Sequence, residues 1–227
     1  MEPARKYLIA VGLFSITMAY VEAVIVVYLR AMYEISDLLV DMPVLPDQYT
    51  PIEIGRQAAT LMMLIMIGWI SGQRALDKFG YTLFAFGVWD IFYYVWLVVF
   101  IDWPVSLFDW DLLFLIPLPW WGPVLSPLLI ALLMVVGGGL AVIRAAQGES
   151  LRFAFIEWSV VGVGVLLALY VFMFDALQAL PGGIVAIGEA RPTVFNWPLF
   201  IIALAAMSLP LLRALVQGRS RPHQSNE

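Results

Sequence analysis

Six stretches of about twenty apolar residues constrain this chain more than any other feature, falling near residues 7–29, 52–72, 81–101, 123–143, 154–175 and 198–216. At about 1.5 Å of rise per residue, each is long enough as a helix to cross roughly 30 Å of hydrocarbon. Backbone inside a bilayer must satisfy its own hydrogen bonds, so it is either helical or part of a closed barrel. The runs are continuous rather than alternating, which excludes barrel strands. With 63% of residues hydrophobic and 13% charged, the sequence predicts an all-α polytopic membrane bundle of six transmembrane helices. Residues 1–217 form a single helical domain in this reading, and 218–227 a disordered polar tail.

The basic residues are distributed unevenly. Arg5, Lys6, Arg74, Lys78, Arg144, Arg152, Arg213, Arg219 and Arg221 fall at one set of span ends, and Arg30, Arg56 and Arg191 at the other. Positively charged loops stay in the cytoplasm, so both termini are expected there. The opposite loops are acidic, with Glu34, Asp37, Asp41, Asp47, Asp102, Asp109, Asp111 and Glu189. The N-terminal run begins like a signal peptide after Arg5 and Lys6 but continues to Tyr28 without a small-residue cleavage pattern, so it is expected to remain as the first span. A bacterial inner membrane is the expected location.

Inner connectors are short and the outer ones run to about twenty residues, which places additional structure on the outer face. Tyr33, Ile35, Leu38 and Leu39 suit a short interfacial helix ended by Pro43 and Pro46, with an ordinary solvated loop as the alternative. Between the third and fourth spans, Ser106–Ile116 predicts a short helix opened by Ser106 and Asp109 in N-cap spacing. It would lie in the outer interface or, alternatively, re-enter the bilayer; Trp103, Trp110, Trp120 and Trp121 suit headgroup depth. Asp175–Trp197 reads as irregular, and Gly137, Gly138, Gly139, Gly162 and Gly164 as helix-packing positions. Three spans per half would permit an inverted repeat, but Ile52-Glu53 and Ile156-Glu157 are all the halves share.

Several chemistries lose their residues. The chain contains no cysteine, its one histidine is His223 in the tail, and its two lysines, Lys6 and Lys78, lie outside the spans. A thiolate or zinc site, bis-histidine haem and a retinal Schiff base therefore lack ligands or attachment points, and no cofactor or metal is expected. The net charge of −5 disfavours nucleic acid.

The candidate site starts from Asp90, in the middle of the third span. A carboxylate near the bilayer centre costs about 2.5–3.5 kcal/mol and normally faces the bundle interior with a partner. Tyr93 and Tyr94 lie on the same helical face at i+3 and i+4, so their hydroxyls are expected beside it. Glu22 on the first span and Glu53 with Arg56, at i, i+3 in the second, fall in the same half of the membrane. Asp90, Glu53 and Glu22 are thus the candidate proton-exchanging groups, and Arg56, Tyr93, Tyr94, Trp89, Asp109 and Asp111 the candidate substrate-binding ones. Three carboxylates around one guanidinium cannot all ionise cheaply, which suits acid–base work near neutral pH. The structural alternative is a helix-end pair of Glu53 and Arg56, with Glu22 and Asp90 held for packing specificity.

The expected partners are membrane lipid and a lipid-like small-molecule substrate. The leading functional expectation is a metal-independent acid–base enzyme acting on an isoprenoid or other lipid, with Arg56 fixing a polar head. Alternatives are a proton-coupled small-solute transporter and a non-catalytic subunit or assembly factor of a membrane complex. The topology is directly testable: a reporter active only in the cytoplasm should function when inserted in 73–80 or fused after 227, and be silent in 176–196. The opposite pattern would invert the assignment of faces.

Overall fold

The computed structural model describes residues 2–42, 47–149 and 154–219. In chain order its elements are α1 (Glu2–Met32), α2 (Leu38–Asp41), α3 (Thr50–Ser71), α4 (Ala75–Ile101), β1 (Trp110–Phe114), β2 (Trp120–Pro123), α5 (Leu125–Ala146), α6 (Phe155–Phe172), α7 (Phe174–Ala179), α8 (Gly183–Glu189) and α9 (Trp197–Arg219). Six of these, α1, α3, α4, α5, α6 and α9, are long and apolar enough to cross a membrane. The chain is a multi-pass helical membrane protein.

Local chemistry sets the helix ends. The Asp47 carboxylate accepts the backbone N–H groups of Tyr49 and Thr50 at 3.1 and 2.8 Å and so closes the start of α3. Asp77 accepts the N–H of Arg74 at 3.2 Å ahead of α4. At the far end of α4, Asp102 takes a left-handed conformation (φ 51°) and donates its N–H to the Val98 carbonyl at 3.0 Å.

α4 is the central helix, packed against α1, α3 and α5, while α6 pairs with α9. The contact with α5 is made backbone to backbone. A Cβ added to Gly138 would lie 2.4 Å from the Gly80 carbonyl oxygen, and one added to Gly87 would lie 2.4 Å from the Ala131 oxygen. Gly138 and Gly164 therefore serve close packing as expected, whereas Gly137 and Gly162 have nothing within 4 Å of such a Cβ. Around this seam Val11, Leu64, Tyr81, Ala85 and Val142 fill one buried cluster, and Ala168, Val171, Phe172, Phe200 and Ala203 a second between α6 and α9.

Two outer-connector expectations change and a third is met. The helix predicted over Ser106–Ile116 is replaced by an antiparallel hairpin, with Asp111 opposite Gly122 and Leu112 opposite Trp121. Ser106 and Asp109 do make capping bonds, but these close a turn: the Asp109 carboxylate accepts the N–H groups of Val105 and Ser106, and the Ser106 hydroxyl accepts that of Phe108. Past that turn, Pro117 and Pro119 prevent helical continuation. Pairing with 120–123 satisfies the backbone of an aromatic-rich run instead. The fold is thus helical with one two-stranded element, not purely α.

Asp175–Trp197 is largely helical, not irregular, because Phe174–Ala179 contains good helix formers; a 3₁₀ turn with Pro181 and the left-handed Gly183 (φ 81°) separates α7 from α8. The short helix expected in 30–51 is the single turn α2, with Asp37 accepting the N–H of Leu39. Pro43 and Pro46, expected to end it, lie outside the described residues, as do 220–227 of the expected tail; Gly218 and Arg219 belong to α9.

Gly87→Ala should destabilise the protein by about 1–3 kcal/mol, the usual scale for overpacking a filled interface, while Gly137→Ala should be neutral. Thermal unfolding in detergent checks both, and equal effects would dismiss the α4–α5 seam as the reason for the glycines.

Candidate functional site

The first turns of α3 carry Glu53, Arg56, Gln57 and Thr60 at i, i+3, i+4 and i+7, a polar stripe on an otherwise apolar helix. This stripe faces Glu22 of α1. Arg56 donates from Nε to Glu53 at 2.8 Å, pairs with the same carboxylate through Nη2, and reaches Glu22 through Nη1. The Thr60 hydroxyl donates to Glu22. Gln57 donates to Glu53 at 2.9 Å, and its amide oxygen accepts the N–H of Leu115 at 2.9 Å, tying the hairpin to α3. The cost of desolvating charge is met here by pairing each group with opposite charge or a neutral donor.

A second polar centre hangs from the hairpin. Asp111, only 4% exposed, accepts the Tyr94 hydroxyl and the Leu112 N–H, each at 3.0 Å. Arg30, at the end of α1, places Nη2 3.9 Å from Asp111 and lays its guanidinium 3.8 Å over the Trp103 ring. Burial pushes the Asp111 carboxyl above the usual aspartate range, against the opposing pull of Arg30 and the two hydrogen bonds. Near the mouth, Asp47 is occupied by the Tyr33 hydroxyl and by Thr50. Burial works to raise its pKa, but these bonds, together with the N–H groups of Thr50 and Tyr49, hold it below the ordinary value.

Between the two centres α1, α3, α4, α5, the hairpin and residues of the connector after α1 line a partly open cavity of about 210 Å³. A single water needs only about 10–15 Å³ by a comparable measure, so the space is large enough for a small organic guest. Asp90 lines it, half-buried, and makes no hydrogen bond or ion pair among the described residues. The expected bonding from Tyr93 and Tyr94 to Asp90 does not form. A phenol is rigid and long, so its hydroxyl projects past the neighbouring turn: that of Tyr94 reaches the hairpin instead, while Tyr93 stacks on Trp89 with ring centres 6.2 Å apart. Trp89, Tyr93 and Tyr94 all line the cavity, as do Glu22, Glu53, Arg56 and Asp111.

The expected single cluster is thus a cavity with an ion triad on one side, the Arg30–Asp111–Tyr94 centre on another, and Asp90 paired with neither. Asp109 is not on the cavity wall; its carboxylate is spent on the turn described above. Arg30, Gln57 and Trp120 line the cavity but were not singled out from sequence. Arg30 had a signal, being an arginine on the otherwise acidic side, and Gln57 had the i+4 spacing from Glu53. Trp120 had none, since its position depends on hairpin pairing. Glu157, at the other end of the bundle, pairs with Arg213 of α9 and accepts the Ala154 N–H at 2.6 Å, a helix-joining role away from the cavity.

No family model, curated protein or solved structure matches this chain. The geometry of the cavity is what bears on function.

Arg56→Met would strand two carboxylates and should cost about 3–5 kcal/mol, as breaking buried pairs does. Adding Glu22→Gln and Glu53→Gln should recover most of it, and no recovery in unfolding experiments would show that the triad is not a unit. A raised Asp111 contributes stability that is complete below the ordinary aspartate range and is lost as pH rises through its folded value. The melting temperature of wild type minus that of Asp111→Asn should therefore fall as pH increases from about 4; a difference that grows with pH would reverse the assignment.

Proposed function

We propose that the protein is a metal-independent acid–base enzyme of the bilayer, acting on an isoprenoid or other lipid within this cavity, with Asp90 as the group that exchanges protons. One observation carries the reading. Asp90 faces the cavity with no hydrogen-bond or ionic partner among the described residues, while Glu22 and Glu53 are committed to Arg56. A carboxyl free of an ion pair can give and take a proton without breaking structure. The triad then acts as a charged support that fixes α1 against α3. Arg56 is held between two carboxylates, whereas Arg30 makes no hydrogen bond among the described residues and is the group assigned here to a neutral substrate oxygen.

The half of the bundle away from the hairpin supports an enclosed site over a transport path. There Gly80 and Gly138 touch backbone to backbone, and Leu64, Ala85 and Val142 are fully or almost fully buried. With cytoplasmic termini in a bacterial inner membrane, the cavity opens toward the outer leaflet.

Purified wild type and Asp90→Asn, reconstituted with isoprenoid lipids, should differ in lipid turnover by about 10²–10⁴-fold, the usual contribution of a general acid or base. Equal rates, with both proteins folded, would remove Asp90 from the mechanism.

A further inference from the structure

We infer that the cavity binds a lipophilic monocation, with its positive centre beside Asp90 and its hydrocarbon along the aromatic wall. The inference rests on the cavity of the proposed enzyme and names the charge that cavity accepts.

The ionisable lining is lopsided. Five carboxylates, those of Glu22, Asp47, Glu53, Asp90 and Asp111, face two guanidiniums, Arg30 and Arg56. Both cations already have a carboxylate beside them, so the charge left over is negative. Arg56 lies between Glu22 and Glu53, and Arg30 is 3.9 Å from Asp111 with its face covered by Trp103. Asp47 is held at the mouth by Tyr33 and Thr50. Asp90 remains the lining acid with no partner among the described residues. An anionic headgroup would add repulsion in a low-dielectric space already rich in carboxylates, whereas a single positive charge would relieve it.

The wall around Asp90 selects which kind of cation. Phe86 meets Trp89 edge-on at 5.3 Å, Trp89 stacks on Tyr93 at 6.2 Å, and Tyr93 meets Tyr94 at 5.0 Å. Phe114 of the hairpin continues the arc, 6.5 Å from Trp89. Ring faces attract weakly hydrated organic cations such as alkylammonium groups. A hard metal ion requires several oxygen ligands, and no three acids or imidazoles among the described residues are grouped to hold one.

The same charge preference gives the acid–base reading a reaction class. The Asp90 O–H transfers its proton to one carbon of an alkene, forming a C–H bond and leaving the adjacent carbon cationic beside the new carboxylate. Loss of a proton from a neighbouring carbon to that carboxylate restores the acid and yields a shifted double bond, with no co-reactant. A tertiary ammonium is the stable mimic of that intermediate.

The test uses the full chain in phosphatidylcholine nanodiscs, with N,N-dimethyldecylamine, decanol and decanoate at equal mole fraction in the lipid, read by thermal unfolding and tryptophan fluorescence. The amine should raise the melting temperature by several degrees, with decanol and decanoate giving no shift. Asp90→Asn should weaken amine binding at least tenfold, and Asp90→Glu should keep it. Equal shifts for amine and alcohol, a preference for decanoate, or undiminished amine binding by folded Asp90→Asn would overturn the inference. If Asp90→Asn does not fold, the comparison of three probes on wild type and on Asp90→Glu decides. Amine selectivity lost while Asp90→Asn still abolishes lipid turnover would sink the cation preference alone; amine selectivity kept while turnover ignores Asp90 would sink the enzyme alone.

Discussion

Arg56 is held between Glu22 of α1 and Glu53 of α3, and the cavity depends on that bridge. In hydrocarbon an unmatched charge is far costlier than a missing van der Waals contact, so the triad fixes the spacing and rotation of two helices that otherwise touch little. Thr60 and Gln57 supply further donors to the same acids. The α1–α3 wall therefore stands without close packing, and the gap it leaves is the space that Asp90 faces.

The opposite wall is built by a different force. Gly80, Gly87 and Gly138 let α4 and α5 approach until backbone touches backbone, which dispersion and the absence of side-chain ordering cost favour in a bilayer. This fixes α4, and with it Asp90, Tyr93 and Tyr94, as the rigid side of the cavity. The hairpin spans the end, joined to the α6–α9 pair by Trp120 lying parallel to Phe172 with 6.3 Å between ring centres, and by Trp110 against Phe195. Ion pairing holds one side, close packing the other, and aromatic stacking the end.

Much of this was legible in the residues because hydrocarbon is an undemanding solvent to read. Length and continuity of apolar runs located all six long helices, and the depth of Glu22, Glu53, Arg56 and Asp90 placed them at comparable heights. The i, i+3 pair of Glu53 and Arg56 could be read from spacing alone. What escaped was tertiary. Helical periodicity says which face Tyr94 occupies but not that a strand passes within reach of its hydroxyl, and Ser106 with Asp109 is a capping pattern equally compatible with a turn. Hairpin pairing brought Asp111 to Arg30 and Trp120 to Phe172, contacts between residues whose sequence separation exceeds what local pattern can report.

Gln57 gives the architecture an unusual economy. One face of its amide supports Glu53 and the other receives the main chain of Leu115, so a single neutral side chain is clasped at once by the charged bridge and by the ribbon that caps the chamber. A guest large enough to lift that ribbon must release the clasp, leaving the amide to turn and the bridge to lose its steadying neighbour. The ribbon and the charged bridge are thereby linked through one residue that carries no charge of its own.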